Sequence, residues 1–384
     1  MNTPRGYRYT DIEGALSSGV ASHDTGGASV RVLAARPSTR QNGAMDPVAA
    51  LEEIAFLLER DRASAFKSKA FRRAADVIRP LDPDEIAARV VDGRLQRTKG
   101  IGDTTFAVIA QATDGAVPDY LADLRTRAGL SPEGAHTGLR AQLRGDLHSH
   151  TDWSDGTTSL ETMARAAEAL GLEYLAVTDH SPSLRVANGL SVERLTAQQQ
   201  AIADVQAEVG GIRLLRGIEV DILLDGALDQ TPEMLGGLDV VVASVHSKLR
   251  TEAPEMTKRM LRAIADPQTN VLGHCTGRLV EGSRGTRPQS TFDAHEVFEA
   301  CAEHGVAVEI NSRPERQDPP DELIAIALEA GCLFSIDSDA HAPGHLTFLE
   351  LGAVRATANG VPAERIVTTW PVERLLEWTR DRGA

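Results

Sequence analysis

The sequence predicts a small all-α domain followed by an α/β domain built on a parallel sheet, and two periodicities carry that prediction. From about Leu143 onward, short apolar segments alternate seven times with amphipathic helical runs, the pattern of a parallel sheet with helical crossovers, either closed into a barrel or open and doubly wound. Between Asp46 and about Arg127, apolar residues instead recur three or four apart, which is helical spacing. At 384 residues, with 42% hydrophobic and 25% charged residues, the chain can bury a sizeable core.

Residues 1–44 are rich in Gly, Ser, Thr and Arg without periodicity and read as a disordered leader, with Met45 as an alternative start. The runs PVAALEEIAFLLER, AFKSKAFRRAADVIRPL, DPDEIAARVVDGRL and TTFAVIAQAT each read as a helix, and Lys99-Gly100-Ile101-Gly102 forms the turn before the last, closing a helical domain over 45–127. Residues 128–142 (AGLSPEGAHTGLRAQ) have linker composition. The α/β domain, 143–384, has strand candidates at LRGDLH, EYLAVTDH, RLLRGIEVDI, LDVVVASVH, NVLGH, VAVEINS and CLFSIDSDAH. Helical patterns such as SLETMARAAEAL, VERLTAQQQAIADVQAEV, PEMTKRMLRAIA, FDAHEVFEACAEH and PDELIAIALEA lie between them.

No stretch reaches the roughly 18 uninterrupted apolar residues of a membrane span, and the N-terminus lacks a basic-then-apolar signal pattern, so a cytoplasmic protein is expected. Cys275, Cys301 and Cys332 are odd in number and sit in apolar segments, which leaves no disulfide framework. The formal net charge of −15 argues against a nucleic-acid coat protein. Six of the 11 histidines stand at the end of a predicted strand or just past it: His148, His150, His180, His246, His274 and His341. His295 and His304 fall in a helical run as surface residues, His23 and His136 in loops, and His345 has no such placement. In a βα barrel the strand ends converge on one face, and Asp155, Glu219 and Asp339 obey the same rule. Crowded imidazoles and carboxylates imply bound cations, and because strand residues i and i+2 face the same way, His148 with His150 and Asp339 with His341 each offer a ligand pair. Nine ligands are too many for one ion. Two or three divalent cations are implied, the equipment of phosphoester hydrolysis by a metal-activated hydroxide, and imidazole and carboxylate without thiolate suit Zn, Mn or Fe.

The strings GDLHSHTDWSDGT, AVTDHSPSLRVANGLS, LRGIEVDIL, VVASVHS, VLGHCTGRL, VEINSRP and SDAH resemble, in order and spacing, the PHP (polymerase and histidinol phosphatase) domain, above all the one that ends bacterial family X DNA polymerases. The likeness runs from about Arg144 to the closing TTWPVERLLEW. It implies a distorted (βα)7 TIM-like barrel with three metals: His148, His150, Glu219 and Asp339 on the first; Glu219, His246 and His274 on the second; Asp155, His180 and His341 on the third. Glu219, Asp339 and His341 are the candidate catalytic residues. The preceding helical segment is similar to the 8-kDa-type helix-hairpin-helix domain of the same polymerases.

A Gly-x-Gly between two helices can turn backbone N–H groups toward a DNA phosphate, although a plain αα turn uses the same residues. Between Arg60 and Lys99, eleven basic residues face six acidic ones, an excess of five in an acidic protein. Lys67, Lys69, Arg72, Arg73, Lys99, Gly100 and Gly102 are therefore candidate DNA contacts, and Lys248, Arg278, Asn311 and Arg313 are candidates to hold a substrate phosphate. The lysine that forms the Schiff base in lyase members is replaced by Val108, with Thr104 also uncharged, and an aliphatic side chain supplies no amine. The short linker leaves no room for fingers or palm, so polymerase activity is not expected. The expected function is a metal-dependent phosphoesterase acting on DNA ends, a 3′-5′ exonuclease or 3′-phosphatase of DNA repair. A histidinol-phosphatase-type small-molecule phosphatase and a non-catalytic DNA-binding scaffold are the alternatives.

Overall fold

The computed structural model describes residues 45–128, 138–282 and 285–381; the leader, most of the linker, His23 and His136 lie outside them. Five helices open the chain: α1 Pro47–Arg60, α2 Ala65–Ile78, α3 Pro83–Val91, α4 Asp103–Thr113 and α5 Asp119–Arg127. Local chemistry sets their starts. Asp46 accepts from the Ala49 N–H (2.9 Å) and Asp82 from the Asp84 N–H (2.9 Å), each followed by a proline whose missing N–H costs nothing in the first turn. Helix α1 buries Ala50, Leu51, Ile54, Ala55 and Leu58, one apolar stripe, against Phe71, Ala74 and Ile78 of α2 and Ile109 of α4. Helix α5 was not separately legible: DYLADLRTR is mostly polar and buries only Leu121 and Leu124.

Seven parallel strands follow, paired in sequential order: β1 Gly145–Asp146, β2 Tyr174–Val177, β3 Arg213–Asp221, β4 Val240–Ser244, β5 Val271–Leu272, β6 Ala307–Asn311 and β7 Leu333–Asp337. The last returns to the first through a parallel bridge between Ser149 and Ala340, giving a nearly closed barrel, as the resemblance implied. Its crossovers carry α6 Leu160–Ala169, α7 Val192–Glu208, α8 Pro232–Leu235, α9 Ala253–Ile264, α10 Ala294–His304, α11 Asp321–Glu329, α12 Leu349–Ala358 and α13 Val372–Asp381. Alternation along the strands separates two layers. Leu175, Val177, Val241, Ala243, Val308 and Ile310 pack outward on the helices, whereas Tyr174, Ala176, Val240, Val242 and Ala307 share an inner cluster with Val367, Trp370 and Leu375 from the C-terminal segment. The Tyr174 hydroxyl donates to the Trp370 carbonyl (3.1 Å), tying that segment to the barrel.

The three cysteines are buried and form no disulfide, and no described helix is long and apolar enough to cross a membrane. The helical domain packs on the barrel through α1 and the 3-10 turn Pro343–Phe348 that follows β7.

Candidate metal centre

The loops leaving the strands are held by buried carboxylates. Leu147 N–H donates to Asp337 (2.8 Å), His148 N–H to Asp146 (3.1 Å) and His150 N–H to the Ala340 carbonyl (2.8 Å), which locks the His-x-His turn to the end of β7. Asp179, beside His180, accepts from the N–H groups of Thr151 and Ser154, from both their hydroxyls and from the Gln198 amide, fixing the loop that carries Asp155. Asp339 takes a positive φ (50°), a conformation in which a short polar side chain is tolerated.

All nine predicted ligands converge, around Glu219. Its Oε2 lies 2.8 Å from His180 Nδ1, 3.3 Å from His148 Nε2 and 3.6 Å from His150 Nε2, and its Oε1 lies 2.9 Å from His274 Nε2 and 3.1 Å from His246 Nε2. Asp155 Oδ1 stands between His180 Nε2 (3.5 Å) and His341 Nε2 (3.4 Å). Asp339 Oδ1 faces His150 Nε2 (3.5 Å) and His341 Nδ1 (3.4 Å). Four groups have metal-ligand spacing: His148, His150 and Asp339; His148, Glu219 and His274; His180, Glu219 and His246; and Asp155, His180 and His341 with His150 added. Of the three sets implied by the resemblance, Asp155, His180 and His341 fall within one group and His148, His150 and Asp339 form another, whereas Glu219, His246 and His274 are divided between two; His148, His150, His180 and Glu219 each belong to two groups.

The donor atoms fit cations. His148 Nε2, both nitrogens of His150, His246 Nε2 and both Glu219 oxygens are buried with no hydrogen-bond partner of good geometry, a costly state for polar atoms that metal coordination would relieve. Burial opposes the charge on Glu219, yet His246, His148 and His180 hold its carboxyl well below the usual range. Burial opposes charge on His246 too, but Glu219 and Asp221 raise it to about 9. His150 is pushed down to about 3 by burial and by His341 and His180. His246 must lose a proton before its Nε2 can donate a lone pair. Divalent-metal affinity is therefore expected to rise with pH up to about 9, with proton release detectable by calorimetry in buffers of different ionisation enthalpy.

A ring of residues outside the predicted set holds the ligands. Glu309, fully buried in β6, takes His148 Nδ1 at 2.6 Å and accepts from the His274 N–H at 2.5 Å. Asp221 takes His246 Nδ1 at 2.5 Å, and Arg316 Nε donates to Asp339 Oδ2 at 2.9 Å. Alternation could have found Asp221, two residues past Glu219 on the same face of β3. His345, set aside in the sequence, accepts from the His341 N–H (3.2 Å).

The phosphate candidates separate. Lys248 is exposed beyond β4. Arg278 requires correction: its guanidinium donates to the carbonyls of Arg316 (3.1 Å) and Gln317, so it clamps a loop. Asn311 ties down its loop: its amide donates to Glu309 and Asp339 (3.2 Å each) and its oxygen accepts from the Arg313 N–H (3.0 Å). Arg313 reaches the pocket, 3.0 Å from His341 Nδ1, while also paired with Glu315 (2.7 Å).

In the helical domain Lys67, Lys69, Arg73 and Lys99 are exposed. Arg72 is corrected: its guanidinium lies bidentate on Glu59 (2.8 and 2.6 Å). Gly100 takes φ 101°, and a β-carbon there would fall 3.1 Å from Val77 and 3.3 Å from Arg73, so the hairpin rests on α2 beside Arg73. The Gly102 N–H donates to Thr105 Oγ1 (2.9 Å), which removes that amide from any phosphate cradle.

Comparison with known proteins matches residues 146–313 to the PHP domain and residues 42–114 to a helix-hairpin-helix domain. The chain is 38% identical over 215 residues to the DNA polymerase/3'-5' exonuclease PolX of Bacillus subtilis; the match covers 56% of this chain but only 37% of that protein. It is 31% identical over 251 residues to a protein of Vibrio parahaemolyticus named a probable phosphatase, covering 62% of this chain and 94% of that one. Among solved structures, a Lactococcus lactis histidinol phosphate phosphatase in complex with zinc, L-histidinol and phosphate aligns at 20% identity and a TM-score of 0.45, over 57% of this chain and 94% of that one.

Proposed function

The chain belongs to the PHP domain family, and on that premise we propose that it is a metal-dependent phosphoesterase acting on DNA ends, as a 3′-5′ exonuclease or 3′-phosphatase. The observation that carries the hydrolytic part is the convergence of nine metal-competent side chains around Glu219, with unpartnered donor atoms turned into one pocket. Two or three divalent ions, Zn, Mn or Fe, would be held there by His148, His150, Asp155, His180, Glu219, His246, His274, Asp339 and His341. Such ions supply Lewis acidity and activate water near neutral pH.

The protein's own groups do the rest. Glu219 is shared between neighbouring positions, and Asp339 and His341 hold the side next to Arg313. Lys248 and Arg313 are the remaining candidates for the substrate phosphate, Lys as a point charge and Arg through a planar fork. DNA as the substrate is supported by the helix-hairpin-helix match and by exposed Lys67, Lys69, Arg73 and Lys99. The second reading, a small-molecule phosphatase, is favoured by a relative named as a probable phosphatase that matches along 94% of its length.

One assay separates the readings: purified protein with Mn²⁺ or Zn²⁺, offered 3′-labelled DNA and histidinol phosphate, beside His148→Ala. Metal-dependent release from the DNA 3′ end, lost in the variant, is the expected result. Hydrolysis of histidinol phosphate with DNA untouched would overturn the DNA reading, and no turnover on either would favour a scaffold.

A further inference from the structure

The last turn of α1 lies directly against the loop that follows Asp339 and His341. A β-carbon on Gly344 would fall 2.3 Å from the Phe56 carbonyl oxygen and 2.7 Å from the Arg60 nitrogen, so only glycine allows the two backbones this close. At that point Glu59, 4% exposed, accepts from the Gly344 N–H (3.1 Å) while Arg72 grips the same carboxylate with two bonds. The next residue, His345, stacks on Phe348 (5.0 Å between ring centroids) and accepts from the His341 N–H (3.2 Å). The helical domain therefore reaches a metal-competent imidazole through an unbroken run of contacts. Arg62 also meets Glu281 (2.5 Å), but that pair is exposed at both ends and adds little.

We propose that the helical domain is a built-in part of the hydrolytic centre: Glu59 is a positioning residue that fixes the Gly344 turn and, through His345, the backbone of His341. This rests on the phosphoesterase reading but goes beyond it, because the role is independent of any DNA contact. It predicts that a substrate too small to touch the helical domain still depends on Glu59. Partners that orient metal ligands from behind cost about 10–100-fold in affinity or activity when removed, and for a residue one contact further out the lower figure is expected.

The test uses the full chain with Mn²⁺ and p-nitrophenyl phosphate. Glu59→Ala is expected to weaken the loosest Mn²⁺ equivalent about tenfold in equilibrium dialysis and to lower kcat about tenfold, with KM within about twofold. Glu59→Gln, which keeps an oxygen for the Gly344 N–H, recovers most of both. Glu53→Ala, whose partner Arg125 (2.6 Å) lies within the helical domain, leaves both unchanged. A wild-type Mn²⁺ isotherm in Glu59→Ala would overturn the proposal.

Should that variant fail to fold, coupling can be read on the unmutated protein, because it is reciprocal. Mn²⁺ must then slow amide exchange at Gly344 and in the last turn of α1, and unchanged exchange there overturns the proposal equally. A wild-type protein inactive on every phosphoester would sink the phosphoesterase reading instead, leaving the isotherm and the exchange data to decide the role of Glu59.

Discussion

Glu219→Gln is expected to lower metal-dependent phosphoester hydrolysis by about 10²- to 10⁴-fold, with metal content falling in parallel. The substitution keeps shape and removes one charge. Five imidazoles lie within 3.6 Å of that carboxylate, and it is 1% exposed. Removing one partner of a buried ionic cluster costs about 3–5 kcal/mol, and each 1.4 kcal/mol is about a factor of ten. The amide also offers one oxygen where the carboxylate offered two, so His246 and His274 on one side, or His180 and His148 on the other, face an NH₂ group. Metal analysis by mass spectrometry and single-turnover rates give the measurement. A variant that keeps full metal content and more than about a tenth of the wild-type rate would show that Glu219 is not the hub.

That hub was legible because it lies among residues whose type and position both carry information. Imidazoles at strand ends are countable in a sequence, and a parallel barrel gathers strand ends on one face. The layer beneath was not legible. Glu309 sits inside β6 in VEIN, where a strand pattern alone reads as buried and apolar, and nothing local says that its carboxylate meets His148 from another strand. Asp146 and Asp337, both fully buried, were hidden for the same reason. The basic helix failed differently. Arg72 and Arg73 are adjacent, so they point about 100° apart on a helix, and the sequence could not say that a glutamate of α1 would claim the first. Net charge was also the wrong scale: −15 over 384 residues coexists with exposed Lys67, Lys69, Arg73 and Lys99 in one small domain.

Glu309→Gln is expected to weaken metal binding or turnover by about 10–100-fold although Glu309 is not among the predicted ligands. Its two oxygens serve three donors: Oε1 takes His148 Nδ1, while Oε2 accepts from the His274 N–H and from the Asn311 amide (3.2 Å). With Nδ1–H directed at Glu309, His148 presents the lone pair of Nε2 to the pocket, so the carboxylate sets the tautomer of a ligand. A glutamine supplies one acceptor. Either His148 loses the partner that orients it or the His274 N–H meets an NH₂ group, and a buried donor left unsatisfied costs about 1–3 kcal/mol. Asp221→Asn provides the contrast. Asp221 meets only His246 Nδ1 through one oxygen (2.5 Å) among the described side-chain contacts, and an asparagine oxygen can still accept that proton, so its loss should be several-fold smaller. Isothermal titration with Mn²⁺ ranks the two variants. Equal penalties would mean that only the lost charge matters; a wild-type isotherm for Glu309→Gln would reduce Glu309 to packing.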